Sequence, residues 1–358
     1  MDQVGASGGS VCGAESLGGS AGACAPPTVS VVVPAYNAAW CIERTLRSVQ
    51  AQTFTDLEVL VIDDGSTDDT ADRVAATAQG DPRFRLIRQA NGGVGAARNR
   101  GLAEARGRYV ANLDSDDMWT PDFLTEAVAS LERAGETATM AFARSFWIDR
   151  HDVSLAPPPE PLARPVDYRE ILLYNPIGNG SSALMRRDAV VACGGWDERL
   201  PRDFGPTEDW LLQLQLAARG AVVVMDKPLV YYRITETSAS CSLERSARAA
   251  LEVVRRLQLS EPRLPRLDYW RARSLAMLWL LRRAKRTNRY TLMIWLATHA
   301  YLRNPVWFVD RELREPLVSA LRKAFGKGAR PLHRATDPKP AVGKSLTEPG
   351  TVAVTPES

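Results

Sequence analysis

Histidine is nearly absent from this chain: His151, His299 and His333 are the only three among 358 residues. The five cysteines, Cys12, Cys24, Cys41, Cys193 and Cys241, form no Cys-X-X-Cys pair and have no His beside them. These shortages exclude a disulfide framework and a zinc site, and they suit a reducing cytoplasm. Long apolar runs are missing too. The longest, Leu275–Leu281 and Leu292–Tyr301, fall short of the roughly 20 residues that span a bilayer. No membrane crossing is expected. Charge of one sign is also scarce, with 45 Lys and Arg against 42 Asp and Glu and a formal net charge of +3. That balance excludes a wholesale nucleic-acid coat or an acidic disordered chain, so no nucleic-acid partner is expected. Residues 1–27 hold two acids and no Lys or Arg. A secretory signal needs a basic start and a continuous apolar run, so this stretch reads as a disordered leader.

What is present is an ordinary globular balance, 45% hydrophobic and 24% charged, on a length that supports a core of several layers. The small net charge hides an asymmetry. Residues 243–334 carry 21 Lys and Arg against 7 Asp and Glu, leaving 24 against 35 elsewhere. The acidic and basic parts are therefore expected to be different structural units.

Residues 28–118 alternate strand and helix signals. Val29–Val33, Leu57–Ile62, Phe84–Ile87 and Tyr109–Leu113 are apolar and rich in β-branched residues. Between them Ile42, Leu46 and Val49 recur at helical spacing, and helices are expected at 68–78 and 95–105. Buried runs separated by helices predict an α/β fold with a mostly parallel sheet covered on both faces. Pro121 opens a further helix, Thr139–Ala143 reads as a fifth strand, and Pro157–Pro161 marks a loop into a second half. There Ser182–Met185, Val222–Met225 and Val230–Arg233 read as strands and Glu208–Arg219 as a helix. The chain from 243 to 327 reads as helical, and the Pro-, Gly- and Thr-rich tail 328–358 as disordered.

In an open parallel sheet, ligands sit at the carboxyl ends of the strands. Two acidic clusters fall there: Asp63-Asp64 after the second strand, and Asp114-Ser-Asp116-Asp117 after the fourth. An Asp-Gly pair such as Asp64-Gly65 is by itself an ordinary turn signal. Crowded carboxylates repel, however, unless a cation or donor groups lie between them. Asp-X-Asp supplies oxygen ligands without nitrogen or sulfur, which selects Mg2+ or Mn2+ over zinc. A hard cation with so few protein ligands normally shares its shell with a phosphate-bearing molecule, so a nucleotide diphosphate is implied. Asp68-Asp69 does not continue as a calcium loop, and Asp68 more simply caps a helix.

Pro34-Ala-Tyr36-Asn37, Asp63-Asp-Gly-Ser-Thr-Asp68, Asn91-Gly-Gly93, Ala97-Arg-Asn99-Arg-Gly101, Leu113-Asp-Ser-Asp-Asp117, Gly194-Gly-Trp-Asp-Glu198 and Thr207-Glu-Asp209-Trp210 together resemble glycosyltransferase family 2. Singly these motifs are weak; their order and spacing are strong. The resemblance covers residues 28 to about 235 and implies a glycosyltransferase-A fold. The catalytic domain would be 28–240, with 28–118 the nucleotide-binding half and 119–240 the acceptor half.

The implied activity is inverting transfer of a sugar from a nucleotide-diphospho-sugar, a UDP-sugar favoured, to a glycan or lipid-linked hydroxyl. Bacterial cell-surface polysaccharide synthesis is the implied setting. By the same resemblance, Pro34, Ala35, Tyr36 and Asp64 would hold the nucleoside. Asp114 and Asp116 match the Asp-X-Asp, with Asp116 favoured as the direct metal ligand. Asp209 matches the family's catalytic base. Read without the resemblance, Asp209 is equally an acid in a first helical turn. Arg98 is a candidate phosphate contact or else a surface residue paired with Glu104 or Asp81. Glu208, Trp196 and Trp210 are acceptor-side candidates, though the tryptophans are as readily plain core. Tyr232–Glu236 lacks the His that many relatives carry there, so Thr235, Glu236 or water would take its place.

Two rivals and one location complete the reading. Gly93-Val-Gly95-Ala-Ala-Arg98 imitates a dinucleotide fingerprint, but Arg stands where a small residue is wanted. A non-catalytic member that binds a nucleotide-sugar or glycan is the alternative suggested by the missing His. Arg282-Arg283-Ala-Lys285-Arg286, flanked by Trp279 and Trp295, resembles a segment that lies on an anionic membrane surface; a solvated helical face or a homo-oligomer surface is the simpler reading. The expected location is cytoplasmic, with the inner face of the cell membrane as the peripheral alternative.

Overall fold

The computed structural model describes residues 25–160, 162, 166–200, 207–235, 242–260, 264–286, 290–302, 310, 311, 314 and 315. The tail 328–358, nearly all of the leader 1–27, and Glu236 lie outside the described residues, as do the side chains of 282–290. Contacts group residues 1–313 as one unit and 314–358 as another, of which only Arg314 and Glu315 are described, both helical and exposed.

The first half follows the alternation in the sequence. Strands β1 (Val29–Ala35), β2 (Leu57–Asp63), β3 (Phe84–Arg88) and β4 (Tyr109–Asn112) alternate with helices α1 (Ile42–Gln50), α2 (Thr70–Ala78) and α3 (Val94–Glu104). The strands pair in parallel, β1 between β2 and β4 and β3 outside β2. Every residue of β1 and β2 is buried, as expected for parallel strands covered on both faces. A proline in so central a strand needs an explanation. Val32 pairs with Asn112, the last residue of β4, so Pro34 stands beyond the end of the ladder on that side and its missing N–H costs little there. Helix α1 buries Ile42, Thr45, Leu46 and Val49, the single face that helical spacing predicts.

The second half departs from simple alternation. It contains β5 (Met118–Trp119), α4 (Phe123–Ala134), β6 (Ala138–Ile148), α5 (Tyr168–Tyr174), a short 3-10 turn at Gly180–Ser182, β7 (Ala183–Arg186), α6 (Arg187–Ala192), α7 (Glu208–Ala217) and β8 (Ala221–Arg233). All eight strands form one sheet in the order β3-β2-β1-β4-β7-β6-β8-β5. β7 is antiparallel to both β4 and β6, and β5 to β8, while β6 and β8 are parallel. The result is a mixed, mostly parallel α/β sheet. The two strands expected at 222–225 and 230–233 are one long strand, β8. Pairing with β6 resumes at Pro228 after Val224, and β8 takes up the extra residues at register shifts opposite Phe142–Ser145. Tertiary pairing here overrides a local sequence break.

Helices α8 (Leu243–Ser260), α9 (Arg266–Arg286) and α10 (Tyr290–Ala297) follow. They pack onto the sheet domain through named pairs: Arg169 Nη2 donates to Asp268 at 2.9 Å, and Arg256 Nη1 to Asp197 at 2.6 Å. Among the described residues, no helix is long and apolar enough to cross a membrane.

Candidate active site

The carboxyl ends of β2, β1 and β4 lie side by side, because β1 pairs with both of the others. Three loops leave that edge. The first follows Pro34 and Ala35 and exposes Tyr36, while Asn37 turns left-handed with φ 50°. Asn37 Oδ1 accepts from Thr67 N at 2.9 Å, and Asp68 accepts from Ala39 N at 3.2 Å. The first loop is thereby tied to the second.

Asp63 and Asp64 are both buried at the start of the second loop. Asp63 Oδ1 accepts from Ser66 N at 2.9 Å and closes the turn. Asp64 faces the other way. Its Oδ1 accepts from Gln89 Nε2 and Gly92 N, each at 2.8 Å, and its Oδ2 from Gly93 N at 2.7 Å. Asp64 therefore anchors the Asn91–Gly93 turn in front of α3, where Gly93 takes φ 89°, a conformation that favours glycine.

The third loop carries the acids after β4 and is braced from three elements. The Thr45 hydroxyl of α1 lies 2.7 Å from Ser115 O and 2.8 Å from Asp117 O. Ser181 Oγ donates to Asp117 Oδ2 at 2.6 Å and accepts from Asp114 N at 3.1 Å. At the end of β8, Arg233 N donates to Asp117 Oδ1 at 2.8 Å and Arg233 Nε to Asp116 O at 2.7 Å. Asp117 thus holds the loop in shape and turns away from any ligand. Burial, reinforced by Asp116 and Asp114, pushes its carboxyl well above the ordinary range. Asp116 is pushed up to about 6, by burial first and then by the Asp114 charge. Among the described residues no other residue donates a hydrogen bond to the Asp116 carboxylate.

This donor set fits a hard divalent cation. It is oxygen only and crowded, and the Asp116 carboxyl is raised by burial and then by the Asp114 charge, a strain that a cation relieves. Among the described residues no group of three His, Cys, Asp or Glu could hold a metal unaided. Asp114 and Asp116 would have to share the ion with a ligand's oxygens.

Asp209 reaches the same place from α7. That helix is buried nearly all round, with Trp210, Leu211, Leu212, Leu214 and Leu216 in the core, so its first turn is held rigidly. Asp209 Oδ1 accepts from Trp196 Nε1 at 3.1 Å and lies 3.0 Å from Arg98 Nη1. Burial pushes its carboxyl up to about 7; Arg98 opposes the rise, and Glu208 and Asp114 add to it. Trp196 is fully buried and acts here as a donor to Asp209. Trp210 instead points into α5, its Nε1 donating to Ile171 O at 2.9 Å. Glu208 is buried, with Oε2 accepting from Thr207 N.

Arg98 is neither a surface residue nor paired with Glu104 or Asp81. It is 2% exposed and donates to Asp114 at 2.6 Å and Glu208 at 2.7 Å. Glu104 pairs with Arg85 and Arg100, and Asp81 with Arg83. The rest of the Ala97–Gly101 motif is equally physical. Asn99 exchanges hydrogen bonds with the backbone of Trp196, each at 2.8 Å. Gly101 lets α3 press on β1, since a Cβ there would stand 2.3 Å from a Val32 methyl. Sequence reasoning missed the bracing residues Thr45 and Arg233. Each is a common residue type with no pattern of its own, and only the fold brings them to the acid loop.

A model described as glycosyl transferase family 2 matches residues 30–193. Residues 30–193 form a glycosyltransferase family 2 domain. The match contains Arg98, Asp114 and Asp116; Trp196, Glu208 and Asp209 lie just beyond it. The Rhizobium meliloti succinoglycan biosynthesis protein ExoW is 49% identical over 109 residues, 29% of this chain and 34% of that protein. The first curated relatives are matched over only 10–35% of their own lengths. In structure, S. aureus TarS in complex with UDP-GlcNAc superposes with a TM-score of 0.59 at 21% identity, covering 83% of this chain and 87% of that one. The Pyrobaculum calidifontis mannosyltransferase in complex with GDP-Man and Mn2+ gives 0.52 at 22%, covering 85% and 88%. Likeness at these identities establishes the fold, which is the glycosyltransferase-A fold of those neighbours.

Proposed function

We propose that this chain is an inverting glycosyltransferase that moves a sugar from a nucleotide-diphospho-sugar to a hydroxyl of a glycan or lipid-linked acceptor, in polysaccharide synthesis. The observation that carries this reading is the convergence of Asp209, with a carboxyl pushed up to about 7, and the acid loop on a single guanidinium. A base poised near neutrality beside a diphosphate site is what single displacement at an anomeric carbon requires. The succinoglycan relative and the UDP-GlcNAc and GDP-Man complexes of the structural neighbours support the donor class. A UDP-sugar is the favoured donor in this reading.

In this reading Tyr36 and the backbone at Pro34–Ala35 cradle the nucleoside. Asp64 supports it through the Gly92–Gly93 turn. Asp116 and Asp114 hold Mn2+ or Mg2+, which when bound neutralises charge on the leaving diphosphate. Asp209 takes the proton of the attacking hydroxyl, and Trp196 and Arg98 keep its carboxylate aimed. The test is turnover with a panel of nucleotide-sugars, with and without Mn2+. Metal-dependent release of the nucleoside diphosphate, accelerated by a glycan acceptor, supports the reading. Donor binding without any release assigns a non-catalytic binding module instead.

Peripheral membrane contact is part of the proposal. On α9 and α10, Trp270, Trp279, Ile294 and Trp295 are exposed, a set of apolar side chains that suits a lipid interface. Flotation on anionic liposomes at low salt is the measurement, and absence of binding removes this element alone.

A further inference from the structure

Arg98 carries more than a phosphate contact could explain. Three carboxylates surround its guanidinium: Nη2 meets Asp114 Oδ1 at 2.6 Å, and Nη1 lies 2.7 Å from Glu208 Oε1 and 3.0 Å from Asp209 Oδ1. The side chain is 2% exposed. One buried cation facing three acids is a poor stabiliser, because desolvation consumes most of the attraction. Burial works against the Arg98 charge, and Asp114, Asp209 and Glu208 outweigh it. Both terminal nitrogens are committed to the acids, so a phosphate could claim them only by displacing a carboxylate.

The geometry has a clear mechanical meaning. Asp114 lies in the loop after β4, whereas Asp209 lies in the first turn of α7. The planar fork of arginine spans the two with fixed angles, which a lysine ammonium cannot do. Asn99, the next residue on α3, holds the backbone of Trp196, and Trp196 supplies the other donor to Asp209. Two consecutive residues of α3 therefore control both contacts on Asp209 Oδ1, the ion pair directly and the hydrogen bond through the indole.

We propose that Arg98 is a positioning residue that locks the base carboxylate of Asp209 to the donor-binding loop at Asp114, so that the two halves of the site act as one rigid frame. The inference rests on the proposed function for the roles of Asp209 and Asp114. It differs from a phosphate-binding role in its kinetic signature. A phosphate ligand contributes chiefly to donor affinity, whereas a residue that aims the base contributes chiefly to kcat.

The experiment compares Arg98→Lys with the double variant Arg98→Met/Glu208→Gln, which leaves the net buried charge unchanged. Calorimetry with UDP and Mn2+ reads donor-site affinity, steady-state transfer gives kcat and KM, and the pH profile reads the base. Asp209 faces Arg98 from α3, Glu208 from its own helix, Asp114 from the acid loop and the Trp196 indole. Losing the cation among these groups raises the acid limb.

Expected for both variants are a UDP affinity within about threefold of wild type and a fall in kcat of about 100-fold, and for the double variant, which alone lacks the cation, an acid limb moved to higher pH. Retained kcat, or a loss expressed wholly as weaker donor binding, overturns the proposal. Failure of both variants to fold assigns Arg98 to folding and overturns it as well. Full transfer by Asp209→Asn in parallel would sink the base assignment itself, a result separable from the behaviour of the Arg98 variants.

Discussion

Gly180 stands against Asp209 so closely that a Cβ added to it would lie 2.6 Å from Asp209 Oδ2 and 2.9 Å from Arg98 Nη2. The glycine opens the 3-10 turn whose Ser181 braces the acid loop, so the turn cannot simply back away. Gly180→Ala is expected to push the Asp209 carboxylate off its two donors. The cost in stability should be about 1–3 kcal/mol, as for other overpacked sites, while transfer falls by at least tenfold. Thermal unfolding beside a transfer assay separates the two effects.

Asp209→Asn should keep donor binding and lose about 10²–10⁴-fold in transfer, the usual contribution of a positioned base. The same variant carries a stability signature with a definite sign. The folded-state pKa of Asp209 is raised to about 7 from 3.8, so the folded protein holds this proton more tightly than the unfolded chain. The Asp209 contribution to stability therefore declines as pH rises between those values. The stability of Asp209→Asn relative to wild type should accordingly increase from pH 4 to pH 7 and then level off. Denaturant unfolding at several pH values would show it; a flat difference contradicts the raised pKa.

Transfer itself should follow ionisation of the base. A carboxyl near 7 must lose its proton before it can accept another, so kcat/KM should fall as pH drops through about 7. An acid limb near 4, where an ordinary carboxylate titrates, would contradict the raised pKa of Asp209.

Asp116→Asn is expected to weaken Mn2+-dependent UDP binding by at least tenfold and to leave metal-free binding nearly unchanged. Its carboxylate accepts no hydrogen bond from another described residue, and burial beside Asp114 opposes its attraction to Arg233, so the melting temperature of the ligand-free protein should hold. Equal UDP affinity with and without Mn2+ in the wild type would overturn the metal assignment.

Gly101→Ala offers a contrast far from the chemistry. Its Cβ would collide with both methyl groups of Val32, at 2.3 and 2.8 Å, where α3 packs on the central strand. The expected loss is about 1–3 kcal/mol of stability with KM for the donor unchanged, measured by denaturant unfolding and steady-state kinetics.

The sequence by itself determined the first half of the fold and the position of its acids. Parallel strands buried on both faces must be written as continuous apolar runs, and the turns at their carboxyl ends as Asp, Gly and Asn, so both are legible locally. The second half was less so. β7 runs antiparallel inside the sheet, β8 continues through Asp226-Lys227-Pro228, and short elements such as α5 and α6 have too few residues for a periodic signal. Only the tertiary structure decided what each acid does. Nothing local distinguishes Asp117, which braces the loop, from Asp116, whose carboxylate accepts no hydrogen bond from another described residue. Nor does the sequence around Arg98 reveal that carboxylates 16 and 110 residues away meet its guanidinium. Such roles depend on which side chains arrive from distant elements and on how much water they exclude, and both are fixed only when the chain has folded.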